Sequence, residues 1–237
     1  MLPYIAEFLG TCMLIFLGNS SIANATFDKS GHKGAGVLQI NIAWGLAVMI
    51  PAFIFGDISG AHFNPALTIA FAIDHTISWK LVPGYIICQM AGGFLGACLV
   101  YVFFKDQFDA TKEASVKLAA FCTTPAVQNI PQNILQEAMV TFFLIFSIKG
   151  VGQIVGLVGG LKYVYIFGII MATGMCFGGV TGAALNPARD LAPRLAHTLL
   201  PIENKGDSNF KYGCIVPVVG PLIGAIAAVK LYAVMFN

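Results

Sequence analysis

The chain has 237 residues, of which 57% are hydrophobic and only 10% charged, with a formal net charge of +2; an ordinary soluble domain has roughly 45–50% and about 25%. Such a composition describes an integral membrane protein, and so small and dispersed a charge excludes binding to a nucleic-acid backbone. Six cysteines without a Cys-x-x-Cys pair and four histidines without ligand spacing leave no metal centre and no cofactor to expect.

Residues 4–23 form the first apolar run, about the length that spans a bilayer, and carry Glu7. Ala23-Asn24-Ala25 has the form of a signal-peptidase site, but no Lys or Arg precedes the run and a carboxylate lies inside it, so a retained span is expected. A second span covers 37–56 and includes Trp44. Then comes Ser59-Gly60-Ala61-His62-Phe63-Asn64-Pro65-Ala66-Leu67-Thr68. Asn is a strong N-cap and Pro suits the first helical position, so Asn64-Pro65-Ala66 starts a helix. That helix ends near Ile73, too soon to cross a membrane. A third span, 82–104, carries Gly92-x-x-x-Gly96, a small-residue face for close helix contact. In the polar stretch 105–131, Lys105, Lys112 and Lys117 offset Asp106, Asp109 and Glu113, and we read it as a loop joining two halves.

The second half repeats the first. A span at 132–149 opens with Gln136-Glu137-Ala138 where the first opens with Ala6-Glu7-Phe8, so Glu7 and Glu137 occupy matching places. A span at 162–180 leads into Thr181-Gly182-Ala183-Ala184-Leu185-Asn186-Pro187-Ala188-Arg189-Asp190, which shares five of ten residues with the earlier stretch. The helix from Pro187 stops near Leu199, a polar loop follows at 202–211, and a last span at 213–235 carries Gly220-x-x-x-Gly224. The whole is read as one domain, 1–237, with internal repeats 1–104 and 132–237. Each repeat has three full spans and one half-length helix, and an odd number of crossings leaves the second copy inverted. Inverted repeats with Gly/Pro-interrupted short segments point to a site at the bilayer midplane where two half-helix N-termini meet. Irregular backbone at that depth is tolerated when it lines a cavity or is buried in protein. Arg189, a cation in the first turn of its helix, opposes the helix dipole, so something other than helix stability placed it there.

On these motifs, together with Trp44 twenty residues before Asn64 and Asp190 directly after Arg189, the chain resembles the aquaporin (major intrinsic protein) family, and within it the glycerol-conducting aquaglyceroporins. The resemblance covers nearly the whole chain. It implies an all-α membrane protein with six tilted helices, two re-entrant half-helices and one pore per subunit in a homotetramer of the cell membrane, both termini cytoplasmic. It further implies a narrow filter at Trp44, Gly174, Ala183 and Arg189. Gly174 stands where water-selective relatives have histidine, which leaves room for solutes larger than water; Asp190, Arg194 and the non-aromatic Val218 also fit the glycerol branch. Ala183 departs from it, because an aromatic residue is usual there. A widened filter is therefore expected, admitting urea, dihydroxyacetone or undissociated lactic acid besides glycerol and water.

Physical chemistry gives each residue a task. Asn64 and Asn186 would offer amide donors to a passing oxygen, and the backbone carbonyls of Gly60, Ala61, His62, Phe63, Gly182, Ala183, Ala184 and Leu185 would supply acceptors. The two helix dipoles turn their positive ends to the midplane, opposing cations and protons. Glu7 and Glu137 are expected to brace the loops by accepting backbone N–H bonds, Asp190 to complement its helix N-terminus, and His62 to orient its loop. Blander roles compete: Trp44 as a lipid-interface anchor and the glycine pairs as helix packing. A water-selective aquaporin is the nearest alternative function. A secondary transporter would need an ionisable carrier at the midplane, and Arg189 cannot readily release a proton. An enzyme would need a nucleophile–base pair, and none is visible. The lysines run against the positive-inside rule in the implied orientation, since Lys29, Lys33, Lys105, Lys112 and Lys117 fall outside. With about four residues ahead of the first span, gating by a terminal domain is not expected.

Overall fold

The computed structural model describes residues 1–157 and 159–236; positions 158 and 237, both in the second predicted repeat, lie outside them. Six long helices cross the bilayer: α1 (Leu2–Thr26), α2 (Gly36–Ser59), α4 (Val82–Phe103), α7 (Ile130–Val151), α8 (Leu161–Thr181) and α11 (Val216–Phe236). At 1.5 Å per residue each exceeds the roughly 30 Å hydrocarbon core. Two short helices, α3 (Pro65–Ile73) and α9 (Pro187–Leu199), do not. Three helical turns complete the set among the described residues: α5 (Lys105–Ala110), α6 (Ala114–Ala119) and α10 (Phe210–Gly213). No strand occurs among the described residues. Large apolar side chains such as Ile87, Val102, Phe103, Met139 and Val234 are exposed, as expected for a surface solvated by lipid tails.

The halves pack alike and interlock. α1 lies against α2 and α4, and α7 lies against α8 and α11 in the same pattern. Across the halves α2 meets α8, the short α3 packs on α11, and the short α9 packs on α4. The glycine pairs make close backbone crossings. A side chain at Gly96 would meet the Cys12 carbonyl oxygen at 2.5 Å, and one at Gly220 would meet the Ile134 carbonyl at 2.9 Å. Gly92 and Gly224 likewise leave only backbone against the Phe8 and Ala138 carbonyls. Small residues let these helices touch along their backbones, where dispersion contacts are the main source of attraction in lipid.

The stretch 105–131 is more than a joining loop. Phe108, Lys117, Leu118 and Phe121 are buried, and Asn19 Nδ2 donates to the Phe121 carbonyl at 3.0 Å. Lys117 Nζ donates to the Glu203 carbonyl at 2.6 Å, tying this segment to the 202–211 loop. The apolar residues scattered among its charges have pulled it down onto one end of the bundle. Its polar composition gave no sign of the two helical turns or of this docking, although the stretch still connects the two halves.

Candidate functional site

Both Asn-Pro-Ala loops leave a long helix through a left-handed glycine, Gly60 (φ 85°) after α2 and Gly182 (φ 86°) after α8. Four further residues hold positive φ at matching positions: Ala61 (53°) and Phe63 (49°), Ala183 (47°) and Leu185 (60°). For residues with a Cβ this conformation costs about 1–2 kcal/mol each, so something must hold it. The matched glutamates do. Glu7 accepts hydrogen bonds from Ser59 Oγ (2.6 Å), His62 N (2.9 Å), Phe63 N (2.7 Å) and Gln89 Nε2 (2.8 Å). Glu137 accepts from Thr181 Oγ1 (2.6 Å), Ala184 N (2.9 Å) and Leu185 N (2.9 Å). Both carboxylates are fully buried. Each thus satisfies two N–H groups that an extended loop at this depth would leave without partners. His62 packs edge-on against Phe71 and Tyr85, with its Nδ1 3.1 Å from Thr68 Oγ1, a loop-orienting contact.

The half-helices meet N-terminus to N-terminus. Asn64 Oδ1 caps α3 by accepting from Ala66 N (2.9 Å) and Leu67 N, and Asn186 Oδ1 caps α9 by accepting from Ala188 N (2.9 Å) and Arg189 N. Pro65 and Pro187 take the first helical position behind these caps. Asn64 Nδ2 then donates to the Leu185 carbonyl at 3.0 Å, and Asn186 Nδ2 to the Phe63 carbonyl at 2.8 Å. One hydrogen of each amide is therefore spent on the opposite loop, and each asparagine keeps one for a ligand. The Phe63 and Leu185 carbonyls, expected among the free wall acceptors, each have one lone pair engaged.

A cavity of about 700 Å³ runs past these asparagines and is lined by all eight loop residues from Gly60 to Phe63 and from Gly182 to Leu185. Trp44, Gly174 and Arg189 line it as well. Its charged wall residues are Arg189 and Lys162, and no carboxylate stands among the described lining residues. The local field is therefore positive, reinforced by two helix N-termini. Arg189 is 7% exposed, and its Nη1, itself buried, has no hydrogen-bond partner among the described residues. Its guanidinium lies over the Trp44 ring, 4.4 Å from the centroid, a cation–π stack. The indole in turn rests on α1, where a Cβ at Gly18 would come within 2.5 Å of it.

Asp190 turns away from this cavity. Its carboxylate accepts from Thr123 N (2.7 Å), Thr123 Oγ1 (2.6 Å), Arg194 Nε (2.9 Å) and Arg194 Nη2 (2.7 Å). Arg194, fully buried, also donates to the Ser208 and Thr123 carbonyls at 2.6 and 2.7 Å. Asp190 and Arg194 thus fasten two distant loops to α9, a wider role than complementing one helix end.

Three participants escaped the sequence reading. Gln89 links Glu7 to Thr68; a lone glutamine in a span was its only signal. Thr123 lines the cavity and bonds Asp190, yet it lies 67 residues away in the chain. Asn41, three residues before Trp44 on α2, lines the cavity opposite Gly174. The space expected to be vacant at Gly174 is occupied by the Asn41 amide, whose Cγ lies 2.9 Å from where a Gly174 Cβ would be.

A family model described as "Major intrinsic protein" matches residues 2–232. The chain is 43% identical over 236 residues to the "Probable glycerol uptake facilitator protein" of Thermotoga maritima, with 100% of each chain covered. It is 35% identical over 227 residues to the "D/L-lactic acid transporter" of Lactiplantibacillus plantarum, covering 94% of this chain and 93% of that one. Among solved structures it is similar to the aquaglyceroporin from Plasmodium falciparum, with a TM-score of 0.84 and 30% identity over 97% of this chain and 93% of that one.

Proposed function

We propose that this chain, which belongs to the major intrinsic protein family, is a passive channel through which glycerol and other small neutral solutes, water included, cross a bilayer. The observation that carries this reading is the meeting of Asn64 and Asn186 inside a cavity whose charged wall residues are cations. Each asparagine keeps an N–H for a solute oxygen, and the Arg189 guanidinium, which lines the same cavity, is a third source of donors. Apolar residues such as Leu67, Leu144, Ile148, Ile166 and Ile170 face the same space and suit a carbon backbone. A polyol has hydroxyls along one edge and carbon along the other, so it can exchange water for this lining as it moves. A cation meets the field of Arg189 and of two helix N-termini and receives no carboxylate in return for its hydration shell.

In this reading Trp44, Gly174, Ala183 and Arg189 form the selectivity filter, Glu7, Glu137 and Asp190 hold the loops, and the loop carbonyls accept solute hydroxyls. The small Ala183 gives the filter a width that admits urea, dihydroxyacetone and undissociated lactic acid; a 35% identical relative is named a lactic acid transporter. The chain works as a homotetramer in the cell membrane with both termini cytoplasmic. Stopped-flow light scattering on proteoliposomes under glycerol, urea and osmotic gradients tests the function. Glycerol flux well above that of empty vesicles is expected. Water flux alone would replace this reading by a water-selective channel.

A further inference from the structure

The filter residues of the preceding reading do not exhaust the outer constriction. Asn41 and Trp44 are one helical turn apart on α2 and so share a face, and both line the cavity. Opposite them on α8 is Gly174, where any Cβ would collide with the Asn41 amide oxygen. The notch left by the glycine is therefore a seat for a carboxamide that belongs to another helix. The Asn41 amide makes no side-chain hydrogen bond among the described residues, although it lies on a membrane-spanning helix, about one and a half turns from the start of α2. An amide with no protein partner is costly at that depth unless it faces a wet cavity, and this one does.

We infer that Asn41 is a specificity-determining residue of the channel, seated in the Gly174 notch and exchanging hydrogen bonds with the solute beside Arg189. Arg189 supplies donors only, so it can satisfy a solute's oxygens and leaves its hydroxyl protons unserved. The Asn41 amide, one turn from the Trp44 that carries the Arg189 guanidinium, adds an acceptor and a donor. A solute carrying both kinds of group close together, a vicinal diol or an undissociated carboxylic acid or amide, can engage both residues at once. Water loses little without this pairing, because it is small enough to turn between partners. The amide also sets width: it fills volume that Gly174 and Ala183 would otherwise leave open.

This inference rests on the proposed channel function, and three variants separate it from that reading. Asn41→Leu keeps the γ-branched shape at somewhat greater bulk and removes the hydrogen bonds; Asn41→Ala removes both the hydrogen bonds and the bulk. Proteoliposomes containing wild type and each variant are compared for water, glycerol and the four-carbon polyol erythritol. For Asn41→Leu the glycerol-to-water ratio should fall about tenfold, the worth of one hydrogen bond withdrawn from a dehydrated solute. Asn41→Thr, which keeps a hydroxyl, should hold the ratio within about threefold of wild type. For Asn41→Ala, erythritol flux should rise relative to glycerol flux. An unchanged ratio in Asn41→Leu, or an unchanged erythritol-to-glycerol ratio in Asn41→Ala, overturns the inference. Wild type that passes no glycerol overturns the channel reading instead.

Discussion

Replacing Glu137 by alanine should collapse the second Asn-Pro-Ala loop. The carboxylate takes three hydrogen bonds, and two come from the backbone N–H groups of Ala184 and Leu185, which point at a fully buried side chain. Leaving each unsatisfied costs about 1–3 kcal/mol, and the Thr181 bond adds about 1. Ala183 and Leu185 would also lose the restraint on their positive φ, a strain of about 1–2 kcal/mol each. A loss of about 3–7 kcal/mol is thus expected, a large part of a typical folding stability of 5–15. At about 2–4 °C per kcal/mol for a chain of this size, the melting temperature in detergent should drop by roughly 10–20 °C. Glutamine keeps one oxygen but turns an NH₂ towards a backbone donor, so Glu137→Gln should lose about half as much. Thr181→Val removes one bond only and serves as the control, with a loss of about 1 kcal/mol. Thermal melts followed by size-exclusion chromatography, with glycerol flux from the surviving fraction, read these effects. Glu137→Ala with a wild-type melting temperature and wild-type flux would refute the bracing argument.

Further outcomes follow from the same geometry. Gly18→Ala should drive the Trp44 indole off α1 and into the cavity, lowering glycerol flux more than water flux in stopped-flow measurements. Ala183→Phe should suppress urea and erythritol more than water, with little added backbone strain, since alanine already carries the Cβ that the φ of 47° penalises. Asp190→Asn removes the charge partner of a fully buried Arg194 and should cost about 3–5 kcal/mol, read as a lower melting temperature. The Asp28 carboxyl, between α1 and α2, is held below its ordinary value by the Lys33 ammonium and then by the Lys112 N–H. A depressed carboxylate stabilises above its unfolded pKa and loses that contribution as pH falls through the folded one. Hydrogen-exchange protection of residues 27–35 should therefore weaken below about pH 4 and recover on neutralisation.

Much of this architecture is written locally. Apolar runs of bilayer length mark the six spans, and Asn-Pro-Ala marks a helix start wherever it falls, so α3 and α9 could be read together with their shortness. Glu7 and Glu137 stood out because a carboxylate in a span needs partners and because the repeat put both in one place. What stayed hidden depends on how helices turn against one another. Whether Asn41 faces lipid, a neighbour or a cavity is decided by the α2–α8 contact, and no periodicity in so uniformly apolar a helix records that rotation. The stack of Arg189 on Trp44 is a matter of side-chain direction, for which a spacing of 145 residues carries no signal. Helical turns of six residues such as α5 and α6 are too short to show an amphipathic pattern, and the burial of Phe108 and Phe121 is a tertiary event.

The most direct test of the central claim measures glycerol and proton movement together, in proteoliposomes loaded with a pH-sensitive dye and given an inward glycerol gradient and a membrane potential. Rapid swelling from glycerol entry with no proton leak above that of empty vesicles is the predicted result. Absence of glycerol flux from folded protein, or glycerol entry accompanied by protons, would contradict a passive pore reserved for neutral solutes.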